Sequence, residues 1–125
     1  MGIDIYLKWD GQTKSEEKAQ LTGFSTSHGH VGYLREAYHG GPYATRILFS
    51  EGFNSDNYTI TLESKILEAR LPDAIKATIE REKTIYHATQ EEAESCPMIK
   101  SLKDFAALHK KLEADGRNPK IEISG

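Results

Sequence analysis

The chain has one cysteine, no long apolar run and no surplus of basic residues. Cys96 has no partner within the chain for a disulfide, which favours a reducing compartment. No stretch approaches the ~18 consecutive apolar residues of a membrane span, and the first residues lack the basic and apolar regions of a secretory signal. These absences predict a cytoplasmic protein with no membrane partner.

The charge balance argues against a nucleic-acid partner. The chain carries 16 lysines and arginines against 19 aspartates and glutamates, a net charge of -3. Proteins that bind nucleic acid through its phosphates usually present a basic field. With 125 residues, 38% of them hydrophobic, the sequence predicts a single domain over residues 1–125 with a modest core.

Familiar chemical motifs are missing as well. The sequence contains no H-E-x-x-H, no C-x-x-C and no G-x-x-x-x-G-K-[ST], which are patterns typical of zinc, redox and phosphate sites. We therefore predict no cofactor. Without a recognisable catalytic set, the sequence favours a binding protein over an enzyme.

Alternation of apolar with polar residues predicts four strands, at residues 3–9, 43–49, 58–62 and 121–123. The middle two are predicted to form a hairpin around the turn-rich residues 51–57. The first and last strands have matching alternation, so they are natural partners in one sheet.

Helical spacing and capping residues predict the helices, at residues 13–21, 31–38, 64–70, from Pro72 onward, and 101–115. Pro72 is expected to separate two helices, because the residue before a proline is pushed out of the helical region. Residues 89–98 are predicted to be a loop or a frayed turn. The expected fold class is α+β: an antiparallel or mixed sheet with paired N- and C-terminal strands and helices packed on one face.

Residues 27–46 have the composition of a binding loop. Glycines let the backbone turn sharply or approach a ligand while long polar side chains converge on it. The predicted ligand-binding residues are His28, His30, Tyr33, Arg35, Glu36, His39, Tyr43 and Arg46. In a helix over residues 31–38, Arg35 and His39 would share one face. Free N–H groups at its start and the two arginines would suit an anion. The first hypothesis is a small binding or regulatory module for a small anionic ligand.

Other interpretations of the same residues remain open. His28, His30 and His39 could hold a metal with Glu36 as general base, which would make the protein a metal-assisted hydrolase. In a purely structural interpretation, the histidines are loop and cap residues and Arg35 pairs with an acid. A third hypothesis is an assembly protein or homo-oligomer, because short strands leave sheet edges open to a neighbour.

Two segments, MGIDIYLKW at the start and GHVGYLREAYHGGPYAT over residues 29–45, are similar to a group of small bacterial proteins of unknown function. The similarity extends through residues 70–73 and the last predicted helix, so it covers the whole chain. It implies no activity, and the functional hypotheses therefore depend on the residues themselves.

Overall fold

The computed structural model describes residues 2–22, 31–53 and 58–124. They form a four-stranded antiparallel sheet in the order β2-β1-β4-β3. The strands are β1 (Gly2–Lys8), β2 (Tyr33–Ala37), β3 (Thr59–Ile60) and β4 (Lys120–Ser124). β1 and β4 are direct neighbours. The predicted α+β class and the pairing of the terminal strands are confirmed.

The described residues also contain six helices. They are α1 (Lys14–Thr22), α2 (Ala44–Leu48), α3 (Ser50–Phe53), α4 (Ser64–Ile85), α5 (Gln90–Glu94) and α6 (Pro97–Ala114). Among the described residues, no helix is long and apolar enough to cross a membrane.

The core lies on one face of the sheet. Ile3, Ile5 and Leu7 of β1 are fully buried, whereas the residues between them are only half-buried. Phe49 and Phe105 meet edge to face on the helical side, with ring centroids 5.5 Å apart. Since side chains alternate along a strand, burying one face leaves the other available to polar groups.

The helix predicted over residues 31–38 is wrong, because this segment contains β2. Leu34 and Glu36 point to the buried side, and Arg35 points to the other. Tyr38, the residue after β2, is 39% exposed. Because Glu36 is charged although it points inward, the segment lacks the apolar alternation by which a strand is recognised in the sequence.

The strand predicted over residues 43–49 is also wrong, because α2 occupies it. The Glu36 carboxylate accepts hydrogen bonds from the backbone N–H groups of Ala44 (2.8 Å) and Thr45 (3.1 Å), which fixes the first turn of the helix. Ala44 and Leu48, four residues apart, are both buried. The second strand of the predicted hairpin is present only as β3, and residues 54–57 of the predicted turn lie outside the described residues.

Three further differences from the prediction concern α4, α5 and α6. α4 continues through Pro72, which is exposed, because Leu67 and Ala74 on either side are buried in the same core. The predicted loop over residues 89–98 contains α5, which begins with a capping box between Thr89 and Glu92. α6 starts at Pro97, since proline suits the first turn of a helix, where its missing N–H has no partner to lose.

Candidate functional site

Strand pairing places the outward residues of β1 and β2 side by side on one face of the sheet. Asp4 lies opposite Arg35, and Tyr6 lies opposite Tyr33. On its other side, Tyr6 lies opposite Glu122 of β4. Residues opposite one another in a sheet share a face. We call Asp4, Tyr6, Tyr33 and Arg35 the outer-face cluster.

Short polar contacts fix the geometry of the outer-face cluster. The Tyr33 hydroxyl donates to Asp4 Oδ1 over 2.6 Å, and Arg35 Nη1 donates to Asp4 Oδ1 and Oδ2 over 3.0 and 3.2 Å. The rings of Tyr6 and Tyr33 stack with centroids 5.2 Å apart. Lys8 Nζ lies 5.6 Å from the centroid of the Tyr6 ring. One carboxylate therefore orients both a phenol and a guanidinium.

Contacts within the outer-face cluster raise the pKa values of both tyrosines and of Arg35. Burial and the hydrogen bond to Asp4 raise the pKa of Tyr33. Burial and the charge of Asp4 also raise the pKa of Tyr6. The contacts with Tyr33 and Asp4 raise the pKa of Arg35. The tyrosines remain phenols and Arg35 remains a cation.

Although the chain as a whole has a net charge of -3, the strand residues on this face of the sheet carry a net positive charge. Its charged residues on β1, β2 and β4 are three cations and two carboxylates: Lys8, Arg35, Lys120, Asp4 and Glu122. The Arg35 side chain is 51% exposed. Both of its hydrogen bonds to Asp4 come from Nη1, and a guanidinium has further N–H donors on Nη2 and Nε.

The sheet separates the predicted binding residues into two groups. Tyr33 and Arg35 lie on the outer face, whereas Glu36, Tyr43 and Arg46 lie on the helical side. Because β2 is a strand, Arg35 and His39 do not share a helix face, and that prediction is wrong.

On the helical side, Glu36 ties β2 to α2. Besides the two backbone bonds, its carboxylate accepts a 2.6 Å hydrogen bond from the Thr45 hydroxyl, and Arg81 Nη1 lies 3.4 Å away. The guanidinium carbons of Arg81 and Arg46 lie 5.1 and 4.9 Å from the centroid of the Tyr43 ring. Glu36 would have to give up hydrogen bonds that hold α2 before it could act as a general base. This arrangement supports a structural role.

Of the three predicted histidines, His39 lies within the described residues. His39 Nδ1 lies 2.6 Å from the hydroxyl of Tyr86, the residue that follows α4. His28 and His30 lie outside the described residues. Over residues 2–22, 31–53 and 58–124, no group of three or more His, Cys, Asp or Glu side chains is placed to hold a metal. The metal-assisted hydrolase stays a prediction that depends on those two histidines.

Sequence reasoning missed Asp4 and Tyr6 as partners of the predicted site. The alternation in β1 does place both on the side opposite its apolar residues, but Asp4 and Arg35 are 31 residues apart and no local pattern links them. Arg81 was missed for a different reason, since it occupies a buried position of α4 that is usually apolar.

No protein-family model, curated protein or solved structure matches this chain. The fold and the outer-face cluster define it as an α+β protein with a hydrogen-bonded Asp-Arg-Tyr group on the sheet face opposite its core.

Proposed function

We propose that the protein is a small binding module whose outer-face cluster takes a small ligand with an anionic group and a planar group. The observation that carries this proposal is that Arg35 is both exposed and oriented by Asp4. Asp4 accepts hydrogen bonds from Nη1 of this exposed guanidinium, and the stacked rings of Tyr6 and Tyr33 lie on the same face of the sheet.

The donors of Arg35 suit a phosphate or a carboxylate. A guanidinium binds such anions through parallel N–H groups, and these charge-assisted bonds are stronger than neutral ones. Asp4 holds the side chain in place before a ligand arrives, which reduces the entropy lost on binding. Because Asp4 uses one nitrogen, the same residue orients Arg35 without consuming it.

The tyrosines provide the second part of the recognition. Tyr6 and Tyr33 are half-buried and stacked, so their rings form a rigid surface with few conformations to lose. An aromatic or otherwise planar group lying against this surface would place its anionic substituent near Arg35. The cluster contains no activated nucleophile, and binding is therefore the function it supports.

Titration calorimetry with phenyl phosphate, benzoate and adenosine monophosphate tests the proposal, with adenosine as the uncharged match. We expect at least one anion to bind, adenosine to bind at least tenfold more weakly than its monophosphate, and Arg35→Ala to weaken anion binding by at least tenfold. Arg35→Ala should retain the denaturation midpoint of the wild type, as expected of an exposed side chain.

Arg46→Ala is the matched control. It removes the other arginine predicted from the sequence, which lies on the helical side of the sheet against Tyr43, and it should bind anions like the wild type. Equal losses in both variants, or no binding by any anion of the panel, would contradict the proposal.

A further inference from the structure

Within the described part of the chain, β2 is an edge strand of the sheet. The Leu7 N–H donates to the Gly32 carbonyl over 2.7 Å, in the same register that pairs Ile5 with Leu34. In an antiparallel pair, the residues that exchange backbone hydrogen bonds alternate with residues that do not. The N–H and C=O groups of Tyr33 and Arg35 therefore point away from β1.

Side chains occupy the carbonyls at both ends of this edge. Gln20 Nε2 donates to the Val31 carbonyl over 2.8 Å, and Arg81 Nη2 donates to the Ala37 carbonyl. The second contact also confirms the alternation, because Ala37 belongs to the same outward series as Tyr33 and Arg35. Within the described part of the chain, the backbone groups of Tyr33 and Arg35 have no partner on this side.

From this pattern we infer that the β2 edge binds the β2 edge of a second copy of the chain, antiparallel and across a twofold axis at Leu34. In that register, Tyr33 pairs with Arg35 of the partner subunit, and Arg35 pairs with the partner's Tyr33. Each such pair exchanges both N–H···O bonds. All the outward backbone groups of the two residues are then satisfied.

The neighbouring registers fit less well. Moving the twofold axis from Leu34 to Arg35 places Arg35 against the partner's Arg35, so that like charges are opposed. That register also requires the Ala37 carbonyl, which already accepts a hydrogen bond from Arg81. The opposite shift pairs Tyr33 with itself and requires the Val31 carbonyl that Gln20 occupies. With the axis at Leu34, the Tyr33 ring also lies beside the guanidinium of the partner's Arg35, which is a cation–π contact.

A cleft adjoins this edge within the described part of the chain. A cleft of about 170 Å³ lies between β2 and α4, lined on the strand by Arg35 and Ala37 and on the helix by Thr78 and Glu82. A twofold axis perpendicular to the sheet keeps the outer faces of both copies on the same side. The dimer would therefore have one continuous eight-stranded sheet with two outer-face clusters near its centre.

Sedimentation velocity over a micromolar-to-millimolar concentration series measures the association. An interface this small predicts a weak dimer, twice the 14.0 kDa of the chain, that forms only in the upper part of the range. Arg35→Pro removes one outward N–H and should abolish the dimer. Arg35→Ala keeps that N–H and should retain dimerisation at higher concentration. Circular dichroism of both variants establishes that they are folded.

Disulfide trapping tests the register without depending on the proline variant. In a Cys96→Ser background, Tyr33→Cys protein and Arg35→Cys protein should each stay uncross-linked when oxidised alone, and should form a disulfide-linked dimer when mixed. A monomer at every concentration would overturn the inference. So would cross-linking of either single variant alone, or a folded Arg35→Pro protein that dimerises like the wild type.

Discussion

Gly52 of α3 lies so close to Ile123 of β4 that a methyl group on Gly52 would come within 2.1 Å of Ile123 Cδ1. Ile123 is 7% exposed and belongs to the core cluster. The contact explains how a helix of four residues packs tightly against the sheet, since only glycine leaves room for the isoleucine.

Gly52→Ala should destabilise the protein by about 1–3 kcal/mol, the usual cost of overpacking a core. Ile123→Val removes the clashing carbon and should by itself cost about 1 kcal/mol. We expect urea denaturation to show that the double variant is more stable than the sum of the two losses predicts. Additive losses would mean that Ile123 rotates away from the new methyl group at no cost.

Much of the fold could be predicted wherever local pattern and burial agree. β1 and β4 alternate because one face of each is in the core, and the expected caps of α1 are present, with Glu16 and Thr13 bonded reciprocally at 2.9 and 3.1 Å. β2 was predicted as a helix because Glu36, an inward residue, is charged. The Glu36 carboxylate is hydrogen-bonded to the start of α2, and no residue pattern near Glu36 predicts that contact.

The candidate site was predictable only in part for a similar reason. Tyr33 and Arg35 were identified from composition, but their partner Asp4 depends on the register between two strands. The composition also assigns Glu36 to the same ligand, although alternation along a strand places it on the opposite side of the sheet from Arg35. Composition can identify a binding segment, whereas the side on which each residue lies requires the correct secondary structure.

His109 makes stability depend on pH near neutrality. It is fully buried, its Nδ1 lies 2.7 Å from the Ser64 hydroxyl, and its Nε2 has no hydrogen-bond partner within the described part of the chain. Burial lowers the pKa of His109 below its ordinary value of 6.5. The unfolded chain therefore binds a proton that the folded protein resists, and stability should fall as the pH drops below 6.5.

Denaturant unfolding between pH 5 and pH 7.5, a range set by the ordinary histidine pKa of about 6.5, measures this effect. His109→Gln removes the titrating group and should flatten the slope. His87→Asn, a substitution at an exposed histidine, should leave the wild-type slope in place. If His109→Gln kept that slope, the pH dependence would have to come from another group.

Glu51 and Arg70 make stability depend on pH in the acid range. Arg70 donates to both carboxylate oxygens of Glu51, over 2.7 and 2.8 Å, and this pairing lowers the pKa of Glu51 from 4.5 to about 2. A depressed folded-state pKa gives stability that is present above the unfolded pKa of 4.5 and is lost as the pH falls toward 2. The Glu51 side chain is 46% exposed, so solvent screening limits the loss to about 1 kcal/mol or less.

Glu51→Gln should remove this part of the acid titration, as measured by urea unfolding at intervals across that range. Glu68→Gln is the matched control, because Glu68 pairs with Lys110 over 2.9 Å at the surface. A Glu51→Gln curve that parallels the wild type through the acid range would show that the pair contributes nothing measurable.

Gln20 attaches α1 to the rest of the protein. It is the only buried residue among the described side chains of α1. Its Nε2 donates to the carbonyls of Leu7 and Val31 over 2.7 and 2.8 Å, and its Oε1 accepts from Lys8 Nζ and Gln12 Nε2 over 3.0 and 3.1 Å. One amide thus joins the helix to β1 and to the segment that enters β2.

Gln20→Leu keeps the approximate volume but leaves these carbonyls without their donor, at a cost of about 1–3 kcal/mol. Because no other described α1 side chain is buried, the loss should appear first as faster amide hydrogen exchange within α1, with slower exchange retained in β1 and β4. Gln90→Leu, at an exposed glutamine that contacts Lys83 and Glu94, should change neither stability nor α1 exchange. Unchanged α1 protection in Gln20→Leu would mean that the helix is held by contacts other than this amide.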